Sequence, residues 1–415
     1  MAKRFESAEL VYDWNTQDPL PRPAQVEVSD ETLRDGLQSP SISDPPIEIK
    51  LQALHHMAEL GISAANIGMP CTGARPKQDA LRLAQEIVKA KLPLRPNCAA
   101  RTVVSDVQAI VDISQASGLA IEASTFIGSS PIRRLTEGWD FETMLRHTEE
   151  TISFAVNHQL PVMYVTEDTT RAQPETLRRL YQVALDNGAY RLCIADTVGH
   201  ITPHGVRQLV GFFREEIVRD RSDLRLDWHG HNDRGLALAN GLAALEAGVD
   251  CVHGTILGIG ERVGNTSLDQ LLVNLKLLGW IESELSSLKT YCRLVSEYCN
   301  GPLPFNYPVM GQDAFRTSTG VHAAAIIKAK ALGQAYLADR VYSGVPAELV
   351  GRRQRIEIGP MSGRSNVIYW LESRAIPAEP GLVERLFDRA KRARAVLSEA
   401  EIEELIAEYR RATGD

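Results

Sequence analysis

No two of the six cysteines are spaced as C-x-x-C, so the chain carries neither a thioredoxin-like redox motif nor a zinc-ribbon knuckle. Four of the six lie in apolar, strand-like runs, where cysteine acts as a small hydrophobe, and a reducing, cytoplasmic setting is expected. Long apolar runs are missing as well. None approaches the about 20 residues of a membrane span, and the opening MAKRFESAEL lacks the apolar centre of a signal peptide. The protein is therefore expected to stay where it is made, without a membrane partner. Nor is there a basic excess: with 45 Lys and Arg against 53 Asp and Glu, a net charge of −8 and a pI near 5.8, the balance argues against nucleic acid as the main partner. Any basic site must be local.

What is present is the composition of a globular protein, 44% hydrophobic and 24% charged over 415 residues, enough for a large single-core domain with an appendage. Met1 to Ala24 is polar, ends in PLPRPA and reads as an N-terminal arm over residues 1–24. After it one pattern recurs. Gln25 to Ser29 is a strand, and DPPIEIKLQALHHMAEL is a helix with Asp44 placed to cap it and Gly61 closing it. Strands over Ile62–Met69, Leu92–Ala99, Leu119–Ile127, Pro161–Thr166 and Tyr190–Ala195 each lead to an amphipathic helix, from PKQDALRLAQEIVKA to PHGVRQLVGFFREEIV. Leu224 to Trp228 begins the seventh unit, and TSLDQLLVNLKLLG is the eighth helix.

Eight alternating strand and helix patterns with short loops predict a (β/α)8 TIM barrel over residues 25–280, followed by a mostly helical C-terminal domain over residues 281–415. An open doubly wound sheet is the competitor, and the placement of polar residues decides against it. RDGLQ, TEDTTR, ADTVGH, HGHND and GIGERVGN all follow strands, as chemistry at one barrel mouth requires, whereas ELGIS, KAKLP, DNGAY and EAGVD on the other side are plain turns.

His229 and His231 stand two apart at the end of strand seven, so both imidazoles point to one side and can converge on a metal. In DETLRDGLQ, Asp35 lies at the mouth beside strands seven and eight, because strand one closes the barrel against strand eight, and Asn265 can add a neutral oxygen. This is a mixed N/O set without thiolate, suited to one divalent ion, Mg, Mn or Zn, with positions left for substrate. Arg34, next to the ion, is a natural clamp for an oxyanion, against the plainer reading of a salt bridge to Glu167. Glu167 is a carboxylate at the mouth and a candidate proton carrier, while Asp168 and Arg171 are expected to pair within their loop.

DETLRDGLQ, TEDTTR, ADTVG, HGHND and GIGERVGN, in this order, resemble the metal-dependent DRE-TIM barrel family, and within it 2-isopropylmalate and homocitrate synthases, from Val26 to about Val367. The resemblance implies an acyltransferase that condenses acetyl-CoA with a 2-oxo acid and hydrolyses the thioester. It implies Asp35, His229 and His231 as metal ligands with Asn265 close by, and Arg34 polarising the keto oxygen. Gln38, Asn66, Ser124 and Thr197 are then placed with the substrate. It also implies that His322, in TGVHAAAIIKA, reaches over a mouth, often that of a partner subunit, and shares a proton with Glu167; a homodimer is expected. The chain ends before any room for the C-terminal domain that carries leucine feedback in many isopropylmalate synthases, so feedback of that type is not expected.

Three positions depart from the family pattern. Leu37 stands where RDGEQ has its glutamate, Asn66 where a strand-two glutamate is usual, and Ser124 where a strand-four histidine is usual; all three are expected on the substrate side. A lyase of the 3-hydroxy-3-methylglutaryl-CoA type is the main alternative, but its loop after strand eight carries a cysteine that GIGERVGN lacks. A biotin-dependent carboxyltransferase needs a lysine that PVMYVTED does not offer, and a barrel that has lost turnover is the remaining non-enzymatic reading. The glycines of GIGERVGN are expected to form a ligand-bearing turn and not a dinucleotide loop, since the acidic residue and βαβ context are missing.

Overall fold

The computed structural model describes residues 10–16 and 26–414. Of the arm expected over residues 1–24, only Leu10–Thr16 falls among the described residues. Eight strands, β1 (Glu27–Asp30), β2 (Ala64–Asn66), β3 (Arg95–Arg101), β4 (Glu122–Gly128), β5 (Val162–Glu167), β6 (Arg191–Asp196), β7 (Arg225–Gly230) and β8 (Cys251–Gly254), close into a barrel in sequence order. β8 pairs in parallel with β1, Glu27 opposite Cys251 and Asp30 opposite Gly254, so the segments after both strands leave at one mouth. The expected TIM barrel is therefore the fold.

The eight barrel helices are α1 (Ile47–Glu59), α2 (Ala74–Ala90), α3 (Val104–Ser117), α4 (Phe141–Asn157), α5 (Pro174–Asp186), α6 (Pro203–Phe212), α7 (Ala237–Glu246) and α8 (Leu268–Leu277). Outward-facing strand residues are buried beneath them: Tyr164, Leu192, Leu226, Trp228 and Val252 are all fully covered, each stabilising the fold by about 1.5–3 kcal/mol. Asp44 does not cap α1. Pro46 holds the N-cap position and no side chain closes it. The two prolines leave Asp44 too far ahead to reach the first free N–H groups, and it pairs instead with Lys50 and with Arg75 at 2.8 Å. A short extra helix, Pro131–Glu137, follows β4, started by Ser130 accepting from the Arg133 N–H at 3.3 Å.

The lower barrel interior is ionic. Arg191, 2% exposed, donates to Asp227 at 2.7 Å and to Glu27 at 3.1 Å, and Arg95 donates to Glu27 at 2.8 Å. Burying such charges is costly, and only mutual pairing makes the layer tolerable.

The chain divides into two compact units, one spanning Asp13–Pro302, the other holding the residues from Leu303 on with those before Asp13. The barrel unit thus runs past the boundary expected at residue 280. Helix α9 (Leu288–Tyr298) belongs to it, because the Tyr291 hydroxyl donates to Asp30 at 2.9 Å and the ring is fully buried. The second unit pairs β9 (Arg316–Thr317) with β10 (Arg355–Ile356) and contains α10 (Gly320–Ala331), α11 (Ala335–Arg340), α12 (Arg364–Glu372), α13 (Pro380–Arg392) and α14 (Glu399–Thr413). Trp370, Leu371, Leu386 and Ile402 form the core of its last three helices. Among the described residues no helix is long and apolar enough to cross a membrane.

Candidate active site

A cavity of about 410 Å³ opens at the mouth where β1, β7 and β8 end. Its lining counts in twos along the strands: Ala99 and Arg101, Ser124 and Phe126, Met163, Val165 and Glu167, Cys193, Ala195 and Thr197, His229 and His231. This is the period of a strand whose alternate residues face the barrel axis.

Asp35, His229 and His231 meet on one side of the cavity. His229 Nε2 lies 3.3 Å from Asp35 Oδ2 and 3.3 Å from His231 Nε2, and His231 Nε2 lies 3.5 Å from Asp35 Oδ2. Donor atoms about 2.0–2.2 Å from a shared cation are separated by about 3.0–3.5 Å, so this triangle has the size of a coordination face. The polar atoms left over agree. Asp35 Oδ2 and Asn265 Oδ1 are buried without a hydrogen-bond partner, an expensive condition for polar atoms that nothing else engages. Burial, with His229 beside it, pushes the His231 imidazole down to about 4, so it is neutral at pH 7, the form a cation requires. Burial works against the charge on Asp35, but Arg34 and His229 outweigh it and hold the carboxyl well below the usual range. The residues fit one divalent ion.

The loop after β8 brings Asn265 there. His231 and Asn265 form an isolated antiparallel bridge, and the Asn265 amide donates to the Ile259 carbonyl at 3.2 Å, leaving its own oxygen unengaged. Gly260 and Gly264 allow this turn: φ is +149° and +92°, and a Cβ would stand 2.1 Å from Asn265 Nδ2 and 1.8 Å from the Gly258 oxygen respectively. The glycine spacing serves the turn that presents Asn265.

Arg34 does not pair with Glu167. Its guanidinium is held by Glu31, with Asp35 at 3.4 Å. Glu167 sits across the cavity with Arg133 of the extra helix at 3.6 Å, and burial raises its carboxyl above the usual range despite that cation. Asp168 and Arg171 pair as expected, at 2.7 Å. Gln38, Asn66, Ser124 and Thr197 all line the cavity, whereas Leu37 does not. Its neighbours Arg34, Asp35 and Gln38 occupy the turn that faces inward. His322 lies in the second unit, near the start of α10, with its ring stacked on Tyr342 at 4.0 Å between centroids.

A family model described as HMGL-like matches residues 25–295. Homocitrate synthase AksA of Methanopyrus kandleri is 33% identical over 398 residues, covering 95% of this chain and 94% of that protein. The chain belongs to the HMGL-like family. A probable 2-isopropylmalate synthase of Ignicoccus hospitalis is 32% identical over 377 residues, 89% of this chain and 88% of that protein. Among solved structures, HMG-CoA lyase of Bacillus subtilis superposes with a TM-score of 0.57 at 21% identity, covering 69% of this chain and 97% of that one. At that identity the likeness shows the fold alone.

In this HMGL-like chain the residues that sequence reasoning missed lie beneath the metal-ligand triangle. Glu31 accepts from Arg34, and its carboxylate also meets His253 Nδ1 at 3.0 Å and His229 Nδ1 at 3.5 Å. His253 Nε2 meets Asp227 at 3.0 Å, and Asp227 meets Arg191 at 2.7 Å. Burial alone would lower the His253 pKa, but the carboxylates on both ring nitrogens raise it well above the ordinary value. Burial likewise opposes ionisation of Glu31, and Arg34, His229 and His253 overcome it. Charges of alternating sign thus run from the barrel floor to Arg34 and fix its guanidinium. Strand parity was the available signal, since Asp227 and His229 share one side of β7 as Cys251 and His253 share one side of β8. Glu31, His229 and His253 also cluster closely enough to hold a cation, as do Asp227, Cys251 and His253. Both nitrogens of His253 are already engaged, so these groups fit one less well.

Proposed function

We propose that this HMGL-like chain is an acyltransferase of biosynthetic carboxylic-acid metabolism that condenses acetyl-CoA with a 2-oxo acid and hydrolyses the resulting thioester. The observation that carries the reading is the triangle of Asp35, His229 and His231 beside a fixed Arg34 in one cavity. The relatives named homocitrate synthase and 2-isopropylmalate synthase support it. Asp35, His229 and His231, with Asn265 beside them, would hold a magnesium, manganese or zinc ion, whose positive charge would serve to polarise a keto oxygen.

Arg34 donates to the oxygen on which negative charge grows as the new carbon–carbon bond forms, and Glu31 and Asp35 hold it in place beforehand. Gln38, Asn66, Ser124 and Thr197 orient the 2-oxo acid. The methyl group of acetyl-CoA is too weakly acidic for an unassisted carboxylate, so the base is a pair. His322 takes the proton and Glu167 orients and charge-balances the imidazole. His322 acts above the mouth of a partner copy in a homodimer. His322→Ala is expected to lower turnover about 100-fold with metal content unchanged. Light scattering that found a fully active monomer would exclude action in trans.

Glu167 must be ionised for the pair to accept a proton. Its carboxyl is raised above the ordinary 4.5 by burial, so activity is lost as pH falls through that higher value. Arg133 opposes the rise. Arg133→Met is therefore expected to move the acidic limb of the kcat/KM profile to higher pH, and an unmoved limb would remove Glu167 from the pair. The reading as a whole is tested by thiol release from acetyl-CoA with glyoxylate, pyruvate, 2-oxoisovalerate and 2-oxoglutarate in Mg, Mn or Zn. Release with none of them ends it.

A further inference from the structure

The cavity has two unlike walls. β1, β7 and β8 supply Glu31, Asp35, His229, His231 and His253, whereas β3 to β6 supply Ala99, Phe126, Met163, Val165, Cys193 and Ala195. A 2-oxo acid whose carboxylate and keto oxygens engage the charged wall and Arg34 turns its side chain towards the second wall. Besides Arg101 and Glu167 the wall carries neutral polar groups, two of which make hydrogen bonds within the protein. Ser124 Oγ donates to Asn97 Oδ1 at 3.3 Å, and Asn66 Oδ1 accepts from the Gly68 N–H at 3.3 Å.

Three guanidinium groups line the cavity, and each is already paired with a carboxylate of the protein. Arg34 is held by Glu31 and Asp35. Arg262 is bidentate on Asp233, at 2.8 and 3.0 Å, and donates to the Thr197 carbonyl at 2.7 Å. Among the lining residues, Arg101, at the end of β3, is the cation on the apolar side. It is bidentate on Asp106 of α3, at 2.7 and 3.0 Å, and Asp106 is itself only 3% exposed and also accepts the Arg101 backbone N–H at 3.2 Å. The fork uses two of the five guanidinium N–H donors and leaves the side chain exposed, so what Asp106 removes is the net positive charge that an incoming carboxylate would meet. The remaining acids of the lining, Glu167 and Glu261, repel a second negative charge.

We propose that Asp106, by occupying Arg101, makes this site selective for 2-oxo acids with an uncharged aliphatic side chain and closes it to dicarboxylic 2-oxo acids. The proposal rests on the condensing activity argued above, and it goes beyond the relatives, whose names include both homocitrate and 2-isopropylmalate synthases. Asp106 here is a positioning residue, acting on the substrate only through Arg101.

The test compares kcat/KM for pyruvate, 2-oxoisovalerate and 2-oxoglutarate on the full chain, with calorimetric binding of each acid to the Mg-loaded protein without acetyl-CoA. The best monocarboxylic acid is expected to exceed 2-oxoglutarate by at least ~100-fold, the discrimination expected when a charged group meets a wall without a counter-ion. Asp106→Asn, nearly isosteric, is expected to free Arg101 and narrow that ratio by at least ~10-fold through a lower KM for 2-oxoglutarate, an effect that simple loss of packing does not produce. Equal or better use of 2-oxoglutarate by the unaltered protein overturns the selectivity while leaving the condensing activity standing. Activity with none of the acids overturns both. An unchanged ratio in folded Asp106→Asn overturns the role of Asp106. If that variant does not fold, Arg101→Met decides the point, since it leaves the Asp106 charge unbalanced: a wider ratio against 2-oxoglutarate supports the proposal, and an unchanged or narrower ratio overturns it.

Discussion

Replacing His231 with alanine is expected to remove bound metal and turnover together. The imidazole supplies one of the three donor atoms spaced 3.3 to 3.5 Å apart, and the two that remain cannot define a coordination face. Loss of a partner outside the ligand set already costs about 10–100-fold in affinity, so loss of a ligand costs more. Folding is expected to survive, because His231 lies at the mouth and the barrel core beneath it is unchanged. Elemental analysis of the purified variant is the measurement. Stoichiometric metal in His231→Ala would move the ion to the deeper group of Glu31, His229 and His253, which does not need His231.

Arg34→Ala is expected to cost at least ~100-fold in turnover with the metal retained, the size of losing one fixed electrostatic contact to a developing oxyanion. Arg34→Lys should rescue little of it, since Glu31 and Asp35 flank a planar fork that an ammonium does not reproduce. The thermal midpoint is expected to fall somewhat. Removal of Arg34 leaves the buried Glu31 carboxylate balanced by His253 and His229 alone. Steady-state kinetics, metal analysis and a melting curve on one preparation separate the catalytic from the structural effect. A variant with normal kcat would show that Arg34 serves only to neutralise Glu31 and Asp35.

Much of the convergence of Asp35, His229 and His231 was legible before any fold was known. His229 and His231 share a side because strands alternate, and Asp35 comes beside them because strand one must close on strand eight. The partner of Arg34 was not legible. Glu31 lies three residues away in a turn without periodicity, so nothing local distinguishes its reach from that of Glu167, and only the turn geometry after β1 decides. Arg133 was missed because Pro131–Glu137 is too short to show a helical period, although that helix delivers a cation beside Glu167. Leu37 was placed with the substrate by its position in the family pattern, yet the same turn that presents Arg34 and Asp35 carries it out of the cavity lining.

The sequence by itself determined the order of strands and helices, the closed barrel and the mouth that bears the chemistry, because hydrophobic period and loop polarity are local properties that a chain displays in one dimension. Tertiary structure alone decided how charge is balanced across the barrel. The run from Arg191 through Asp227, His253 and Glu31 to Arg34 joins β6, β7, β8 and the turn after β1. The pairing of Arg101 with Asp106 likewise binds the end of β3 to α3. Charges compensate through space over a few ångströms, and that distance is set by closure of the barrel and not by separation along the chain.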